Sequence, residues 1–239
     1  EATEKILDAL GPFPVILMVS AYTKEGAEET FISLRAGAVD FIQKPSGEIS
    51  FDLNKVQDEL LSKIKMSVGV SVKRYTALKK THESRKTSEG VASPQVIVIG
   101  ASTGGPPLVE DIIASLPADF PVGIVVAQHM PPNFTGSFAD RIDKLTSLSV
   151  KEGESGDKIE AGHAIVAPGG MHTLFHVSKT ENSYHTIRLQ KHKGKKELEP
   201  SIDRAMLSAS EVFGKHAIGI VLTGMGNDGM EGMRAIKEA

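Results

Sequence analysis

Three residues whose side chains could together cleave an ester or amide bond follow three separate apolar runs. Ser102 lies in the pattern G-x-S-x-G directly after the run VIVI, His129 comes shortly after GIVVA, and Asp228 lies in a glycine-rich turn after AIGIVL. A serine hydroxyl is a weak nucleophile unless a base accepts its proton and a third group orients that base. Histidine and aspartate are the residue types for those roles, so the sequence predicts a serine nucleophile with a His–Asp pair.

The segment around each candidate also allows a purely structural interpretation. The turn at Ser102 could bind an anion or only turn the backbone, although it has neither the Gly-Lys-Ser/Thr of a Walker A loop nor the first G-x-G of a dinucleotide fingerprint. His129 could be a structural or solvated histidine, and Asp228 could be a turn or cap residue. All three nevertheless follow predicted strands, where open parallel sheets bind their ligands, and this favours catalysis.

The residue after the candidate nucleophile could take part as well. Thr103 lies where a strand turns into a predicted helix, and the first N–H groups of a helix are free and carry a partial positive charge. The N–H of Thr103 could therefore help to bind the oxyanion of a tetrahedral intermediate.

Two histidines four residues apart, His172 and His176, have the spacing of zinc ligands on a helix. Their segment has the pattern of a strand instead, and no carboxylate or cysteine completes a ligand set. The chain contains no cysteine, which excludes thiolate nucleophiles, disulfides and cysteine-ligated metals. We therefore expect no metal and no cofactor for the chemistry at Ser102.

The overall composition is that of a globular protein, with 40% hydrophobic and 24% charged residues among 239. A formal net charge of −3 gives no electrostatic reason to expect a nucleic acid or an anionic membrane as partner. No apolar run approaches the roughly 20 residues of a membrane-spanning helix. The absence of cysteine also fits a reducing compartment, so we expect a cytoplasmic protein without membrane insertion.

The elements that must position these side chains follow from the apolar periodicity of residues 94–239. Short apolar runs alternate there with helical patterns, as in domains with a parallel sheet. Between residues 150 and 190, short β-rich pieces separated by turn signals predict β-hairpins. The sequence therefore predicts an α/β fold, a mostly parallel doubly wound sheet with a β-hairpin insertion. The predicted strands are 96–99, 122–127 and 217–222, and the predicted helices include 134–145 and 201–213.

Residues 1–66 form a separate and shorter α/β pattern. A wholly apolar run at 14–19 predicts a buried parallel strand, and residues 39–42 predict a second short strand. Each is followed by a helical segment. Residues 67–93 are rich in Lys, Thr and Ser and lack an apolar period, which is typical of a linker. The chain begins and ends within helical sequence, so we expect a fragment of a longer protein.

Five motifs occur in order along the chain. They are IGASTGG around Ser102, AQHMP around His129, APGG with His172, PSID at 200–203 and LTGMGNDG around Asp228. Together they resemble the chemotaxis response-regulator protein-glutamate methylesterases. That resemblance implies a flavodoxin-like receiver, a linker and an α/β esterase domain. Residues 1–66 would be the C-terminal half of the receiver, 67–93 the linker, and 94–239 an esterase domain that lacks its last strands.

The resemblance implies an activity and the residues that perform it. The family hydrolyses methyl esters of glutamates on the cytoplasmic helices of methyl-accepting chemotaxis receptors, and many members also deamidate receptor glutamines. Ser102 would be the nucleophile, His129 the base, Asp228 the group that orients the base, and the N–H of Met225 an oxyanion donor. The alternatives are an adaptor that only binds receptor segments at the glycine-rich cleft and a general small-ester hydrolase.

The resemblance also implies regulation by phosphorylation. Ser20, Phe41 and Lys44 would be the hydroxyl switch, the aromatic switch and the phosphate-contacting lysine of the receiver. The phosphoacceptor aspartate and the acidic residues that bind Mg²⁺ precede residue 1 in the family's pattern, so Mg²⁺ would serve only the phosphorylation of an intact receiver. A chemotaxis histidine kinase would be the phosphodonor, and phosphorylation would uncover the esterase cleft.

Overall fold

Two compact units of chain, residues 1–77 and 78–239, make up the computed structural model. The predicted linker at 67–93 lies outside the described residues except for its first and last positions, so the domain boundaries stay a prediction. Within the described part of the chain, no helix is long and apolar enough to cross a bilayer. The described residues are 2–11, 14–20, 23–44, 53–67, 93–178, 184–191, 198–224 and 226–239.

The described residues of the first unit form a two-stranded parallel sheet and three helices. Strands β1 (Leu17–Ser20) and β2 (Asp40–Gln43) pair so that Ser20 lies opposite Gln43. Helix α2 (Lys24–Arg35) lies between them in the chain, and such a βαβ crossover is the connection that neighbouring parallel strands require. The helices are α1 (Ala2–Leu10), α2 (Lys24–Arg35) and α3 (Leu53–Ser67).

The second unit is built on a parallel sheet with one separate hairpin. In chain order its elements are β3 (Val96–Ala101), α4 (Gly105–Ala114), β4 (Gly123–Gln128), α5 (Phe134–Leu145), β5 (Ser149–Glu152), β6 (His163–Val166), β7 (His172–Ser178), β8 (Tyr184–Gln190), α6 (Ile202–Phe213), β9 (Ala217–Val221) and α7 (Met230–Glu238). The sheet has the strand order β5–β6–β4–β3–β9, and all four pairings are parallel. The predicted α/β fold with a mostly parallel sheet is confirmed.

The segment between residues 150 and 190 differs in part from the expectation of hairpins. β7 and β8 form an antiparallel hairpin, as predicted. The expectation is wrong for β5 and β6, which join the main sheet in parallel. Residues 153–162 connect these two strands, and that length suits a crossover, whereas hairpin loops take about two to five residues. The side chains of Ala164, Ile165 and Val166 are all buried, which is typical of an interior parallel strand.

Helices cover both faces of the five-stranded sheet, as the doubly wound prediction requires. Val98 of β3 and Val125 of β4 pack into one buried cluster with Met206 and other apolar residues of α6 and of the β7–β8 hairpin. Because side chains alternate across a strand, Ile99 faces the opposite side, where α4 and α5 pack. The core therefore lies in two layers, one on each side of the sheet.

The carboxyl ends of β4, β3 and β9 lie side by side at one edge of the sheet. From β3 the chain continues into β4 on one side, and it returns later as β9 on the other side. Such a point, where the strand order changes direction, is the usual place for ligands in open parallel sheets. The loops that carry Ser102, His129 and Asp228 follow these three strands.

Helix α6 approaches β3 very closely at Gly100. A Cβ atom added to Gly100 would lie 2.3 Å from Cγ2 of Ile202, the first residue of α6. Gly232 has the same role between α7 and α6, because a Cβ atom there would lie 2.5 Å from Cβ of Met206. These two glycines allow the first turn of α6 to reach the edge of the sheet that carries the candidate site.

Gly100→Ala is expected to lower the free energy of unfolding by about 1–3 kcal/mol, because the added methyl group would overlap the side chain of Ile202, which is 2% exposed. Urea denaturation measures this change. Gly136→Ala in α5 is the matched control, since the nearest atom there is a carboxylate oxygen of Glu152 at 3.2 Å on a flexible side chain. Equal stability of the two variants would show that the first turn of α6 can shift without cost.

Candidate active site

Ser102, His129 and Asp228 are joined by hydrogen bonds at the carboxyl edge of the sheet. Oγ of Ser102 lies 3.0 Å from Nδ1 of His129, and Nε2 of His129 lies 2.7 Å from Oδ2 of Asp228. The side chains of His129 and Asp228 are 11% and 16% exposed, so this hydrogen-bonded pair is largely screened from water. The structure brings together the three residues that the sequence predicted as one catalytic set.

The two ring nitrogens of His129 have different tasks. For Nδ1 to accept a proton from Ser102 it must carry a lone pair, and the neutral ring then holds its proton on Nε2. That proton points at the carboxylate of Asp228, which can only accept hydrogen bonds when it is ionised. If the ring were rotated by 180° about its Cβ–Cγ bond, carbon atoms would face Ser102 and Asp228 in place of the two nitrogens. The two hydrogen bonds therefore fix the orientation of the ring. In this state the lone pair of Nδ1 faces Ser102.

The turn that carries the nucleophile is fixed by backbone hydrogen bonds on both sides. The N–H of Ser102 donates to the carbonyl of Thr223, in the loop after β9, at 2.8 Å, and the N–H of Gly105 donates to the carbonyl of Ser102 at 2.8 Å. Gly104 caps α4 with a φ of +74°, in the left-handed region that favours glycine. Strand β3 therefore turns into α4 within three residues, and Ser102 is the first residue of this turn.

Gln128 joins the nucleophile turn to the segment that carries the base. Its side chain is buried, and Nε2 donates to the carbonyl of Ser102 at 2.9 Å and to the carbonyl of His129 at 3.1 Å. The N–H of His129 also donates to the carbonyl of Ala101 at 2.9 Å. These bonds hold the two backbone segments at a constant separation. The sequence placed Gln128 in a motif but predicted no role for it, because Ser102, which it joins to the base segment, lies far away in the chain.

Asp228 accepts hydrogen bonds on both carboxylate oxygens, mostly from the first turn of α6. Oδ1 accepts from the hydroxyl of Ser201 at 3.0 Å and from the N–H of Asp203 at 2.8 Å. Oδ2 accepts from the N–H of Ile202 at 2.8 Å and from His129. Sequence reasoning placed Ser201 in a motif without a role, although a serine directly before a helical run is the usual signal of an N-cap.

These donors keep Asp228 ionised. Burial alone would raise the pKa of its carboxyl group, but the hydrogen bond from His129 and those from the N–H groups of Asp203 and Ile202 favour the charged form. The hydrogen bonds outweigh burial, and the pKa of Asp228 is lowered from 3.8 to about 2. At neutral pH a fixed negative charge therefore faces Nε2 of His129.

The two predicted oxyanion donors are Thr103 and Met225. The carbonyl of Thr103 accepts a hydrogen bond from the hydroxyl of Thr223 at 2.7 Å, which ties the nucleophile turn a second time to the loop after β9. Met225 lies outside the described residues. The oxyanion role of both N–H groups stays a prediction.

His172 and His176 lie on β7, in agreement with the strand pattern. The ring of His172 is wholly buried, and its Nδ1 accepts the N–H of Ser201 at 3.3 Å, whereas His176 is exposed. Among the residues that the structure describes, no group of three or more His, Cys, Asp or Glu side chains is arranged to hold a metal ion.

The predicted receiver residues lie at β1 and β2 of the first unit. Ser20 ends β1, and its hydroxyl donates to the carbonyl of Gly26 at 2.8 Å. Lys44 directly follows β2, and its N–H donates to the carbonyl of Ser20 at 2.7 Å, so the two residues meet at the carboxyl edge of this sheet. Phe41 is buried, and Nζ of Lys63 lies 5.3 Å from the centroid of its ring. Their switch roles stay a prediction.

The free energy of unfolding is expected to depend on pH through Asp228. Because its pKa in the folded chain lies below the ordinary 3.8, the ionised carboxylate favours the folded state. This contribution of about 2 kcal/mol is complete above about pH 5 and is lost as the pH falls toward the folded-state pKa. Asp228→Asn should reduce the loss of stability between pH 5 and pH 3 by about 1 kcal/mol in urea denaturation.

Asp119→Asn, at an exposed position, is the control for this pH dependence. It removes one carboxylate without removing the donors that surround Asp228. If wild type and Asp228→Asn lost the same stability on acidification, the hydrogen bonds of the site would not hold Asp228 in its charged form.

The part of the chain that contains Ser102, His129 and Asp228 is similar to known proteins. The family model described as CheB methylesterase matches residues 97–239. A protein-glutamate methylesterase/protein-glutamine glutaminase of Symbiobacterium thermophilum is 39% identical over 242 aligned residues, covering 95% of this chain and 65% of that protein. A protein of the same name from Pyrococcus abyssi is 40% identical over 232 residues, covering 95% of this chain and 62% of that protein. The chain thus spans less than two thirds of the length of these relatives.

A solved structure has the same fold. The crystal structure of the Thermotoga maritima CheB methylesterase catalytic domain matches with a TM-score of 0.56 and 39% sequence identity, covering 62% of this chain and 76% of that one. The stretch that the family model matches starts in β3 and contains Ser102, His129 and Asp228. The chain belongs to the CheB methylesterase family.

Proposed function

We propose that this chain hydrolyses glutamate methyl esters on methyl-accepting chemotaxis receptors, with Ser102, His129 and Asp228 as its catalytic triad. The observation that carries the proposal is the hydrogen-bonded series from Oγ of Ser102 through both nitrogens of His129 to Asp228, at 3.0 and 2.7 Å. Family membership supports it, because relatives that align with 95% of this chain are named protein-glutamate methylesterase/protein-glutamine glutaminase.

The reaction is an acyl transfer in two steps. Nδ1 of His129 accepts the proton of Ser102 as Oγ attacks the ester carbonyl, and the charge of Asp228 stabilises the imidazolium that forms. The imidazolium gives this proton to the leaving methoxide, so methanol departs and a glutamyl ester of Ser102 remains. Water then attacks this ester with His129 again as base, which releases the glutamate carboxylate and restores the hydroxyl of Ser102.

The negative charge of the tetrahedral intermediate needs donors close to the nucleophile. The N–H groups of Thr103 and Met225 are our candidates for this task. Thr103 suits it because it precedes Gly104 at the N-terminus of α4, where the helix dipole favours negative charge. The proposed esterase reaction uses no cofactor. Mg²⁺ enters the proposal only in the phosphorylation of an intact receiver.

Deamidation of receptor glutamines is a second activity that the same site supports. The names of the relatives pair glutamate methylesterase with glutamine glutaminase. The chemistry differs only in the leaving group, which is ammonia in place of methanol. An amide nitrogen has to be protonated as it leaves, and the imidazolium of His129 supplies that proton.

Regulation forms the last part of the proposal. Residues 1–66 would be the C-terminal half of a receiver that a chemotaxis histidine kinase phosphorylates, and phosphorylation would uncover the esterase cleft in the cytoplasm. One contact supports a switch at this place: the N–H of Lys44 donates to the carbonyl of Ser20, so the hydroxyl and lysine positions adjoin at the carboxyl edge of this sheet.

Ser102→Ala in the natural full-length protein is expected to lower the rate of methanol release from methylated receptor by up to about 10⁶-fold, because members of a triad act as a unit. Ser115→Ala is the matched control, since Ser115 is exposed at the end of α4 and its hydroxyl donates to the carbonyl of Ile112. Circular dichroism checks that both variants are folded.

Three outcomes separate the alternatives. Turnover of Ser102→Ala within tenfold of wild type would disprove Ser102 as the nucleophile. A wild-type protein that binds receptor but releases no methanol would be an adaptor. A protein that hydrolyses small methyl esters but not methylated receptor would be a general esterase.

A further inference from the structure

Asp228 receives three hydrogen bonds from the start of α6, two from backbone N–H groups and one from the hydroxyl of Ser201. We propose that Ser201 is a positioning residue for the triad: its hydroxyl holds Oδ1 of Asp228 so that Oδ2 faces His129. The inference rests on the proposed function, in which Asp228 orients His129. It assigns a role in the reaction to a residue that does not contact Ser102.

The hydroxyl of Ser201 serves the helix and Asp228 at the same time. Oγ accepts the N–H of Arg204 at 3.3 Å as the N-cap of α6, and it lies 3.0 Å from Oδ1 of Asp228. A hydroxyl has one proton and two acceptor lone pairs. The N–H of Arg204 takes a lone pair, which leaves the proton for Asp228. Capping therefore also directs the proton toward the carboxylate.

The backbone of Ser201 is held as firmly as its side chain. Its N–H donates to Nδ1 of His172 at 3.3 Å, and the ring of His172 is fully buried in β7. Just upstream, the carbonyl of Glu199 accepts the N–H of Gly170 at 3.2 Å. Ser201 itself is 9% exposed, so its hydroxyl has little access to water. These contacts fix the position from which the hydroxyl reaches Asp228.

A carboxylate is planar, so holding Oδ1 also fixes the direction of Oδ2. In Asp228 each oxygen has two donors: Ser201 and the N–H of Asp203 on Oδ1, the N–H of Ile202 and His129 on Oδ2. Without the hydroxyl, the N–H of Asp203 is the one donor left on Oδ1, so the plane of the carboxylate is held less tightly in line with His129. Such a loss of alignment slows proton transfer and leaves substrate binding unchanged.

Substitutions at residue 201 separate positioning from capping. Ser201→Ala should lower kcat for methanol release about tenfold with KM within twofold of wild type, because a hydrogen bond to a charged group is lost. Ser201→Thr keeps both the helix cap and the hydroxyl donor, so its kcat should lie within about threefold of the wild-type value. Ser201→Asp keeps a good cap but places a second carboxylate against Asp228, so kcat should fall below that of Ser201→Ala.

Ser208→Ala is the control for a general weakening of α6. Ser208 lies on the same helix but away from Asp228, and its hydroxyl accepts a hydrogen bond from the N–H of Phe175 at 2.9 Å. Removing this acceptor should leave kcat within twofold of the wild-type value. A double-mutant cycle gives the direct test. If Ser201 acts through Asp228, Ser201→Ala should cause no further fall of kcat in an Asp228→Ala background.

Two results would overturn the inference: an unchanged kcat in Ser201→Ala, or the same tenfold fall in the Asp228→Ala background. If Ser201→Ala does not fold, a kcat of Ser201→Asp equal to that of Ser201→Thr overturns it as well. Failure of the proposed function has a different signature, since the wild type would then release no methanol from methylated receptor or Ser102→Ala would retain activity.

Discussion

A charged carboxylate that is largely shielded from water needs hydrogen-bond donors on every side, and this requirement connects the elements of the esterase unit. Asp228 lies in the loop after β9, but its donors come from the first turn of α6 and from His129 after β4. The loop, the helix and the strand therefore have to meet at one point. Because these donors lower the pKa of Asp228 to about 2, the charge is present at neutral pH.

Close packing at glycine residues is what allows these elements to meet. Because Gly100 has no side chain, Ile202 packs directly against its backbone, and the N-terminus of α6 reaches the edge of the sheet. A Cβ atom on Gly169, in the loop after β6, would lie within 2.6 Å of three backbone atoms in the segment that follows His129. A Cβ atom on Gly224 would lie 3.0 Å from Cβ of Ser102. The glycines of the motifs thus bring neighbouring loops into contact, in addition to turning the chain.

The sequence alone predicts the strands and helices whose formation depends on residues that are close together in the chain. Runs of apolar residues identify β3, β4 and β9 to within two residues at each end. β3 and β4 are interior parallel strands buried on both faces, and β9, at the edge of the sheet, is also a short apolar run. The helix 134–145 has the predicted bounds. The pairing of β5 with β6 was missed, since the partner and the direction of a short strand depend on contacts that are distant in sequence.

The candidate site could be predicted only in part, for the same reason. Residue types and their positions after strands indicated Ser102, His129 and Asp228. Their arrangement in one hydrogen-bonded series follows from the strand order, which places β4, β3 and β9 side by side. The contacts of Ser201 and Gln128 depend on how closely a helix and two loops approach each other. No periodicity or motif spacing carries that information.

Nitrogen-15 NMR of the imidazole ring of His129 tests most directly whether Asp228 orients the base. At a pH where the ring is neutral, the hydrogen bond to Asp228 should hold the proton on Nε2, with chemical shifts of a protonated Nε2 and an unprotonated Nδ1. In Asp228→Ala the two tautomers should become mixed. A wild-type ring that carries its proton on Nδ1 would contradict the account, because the nitrogen that faces Ser102 could then not accept its proton.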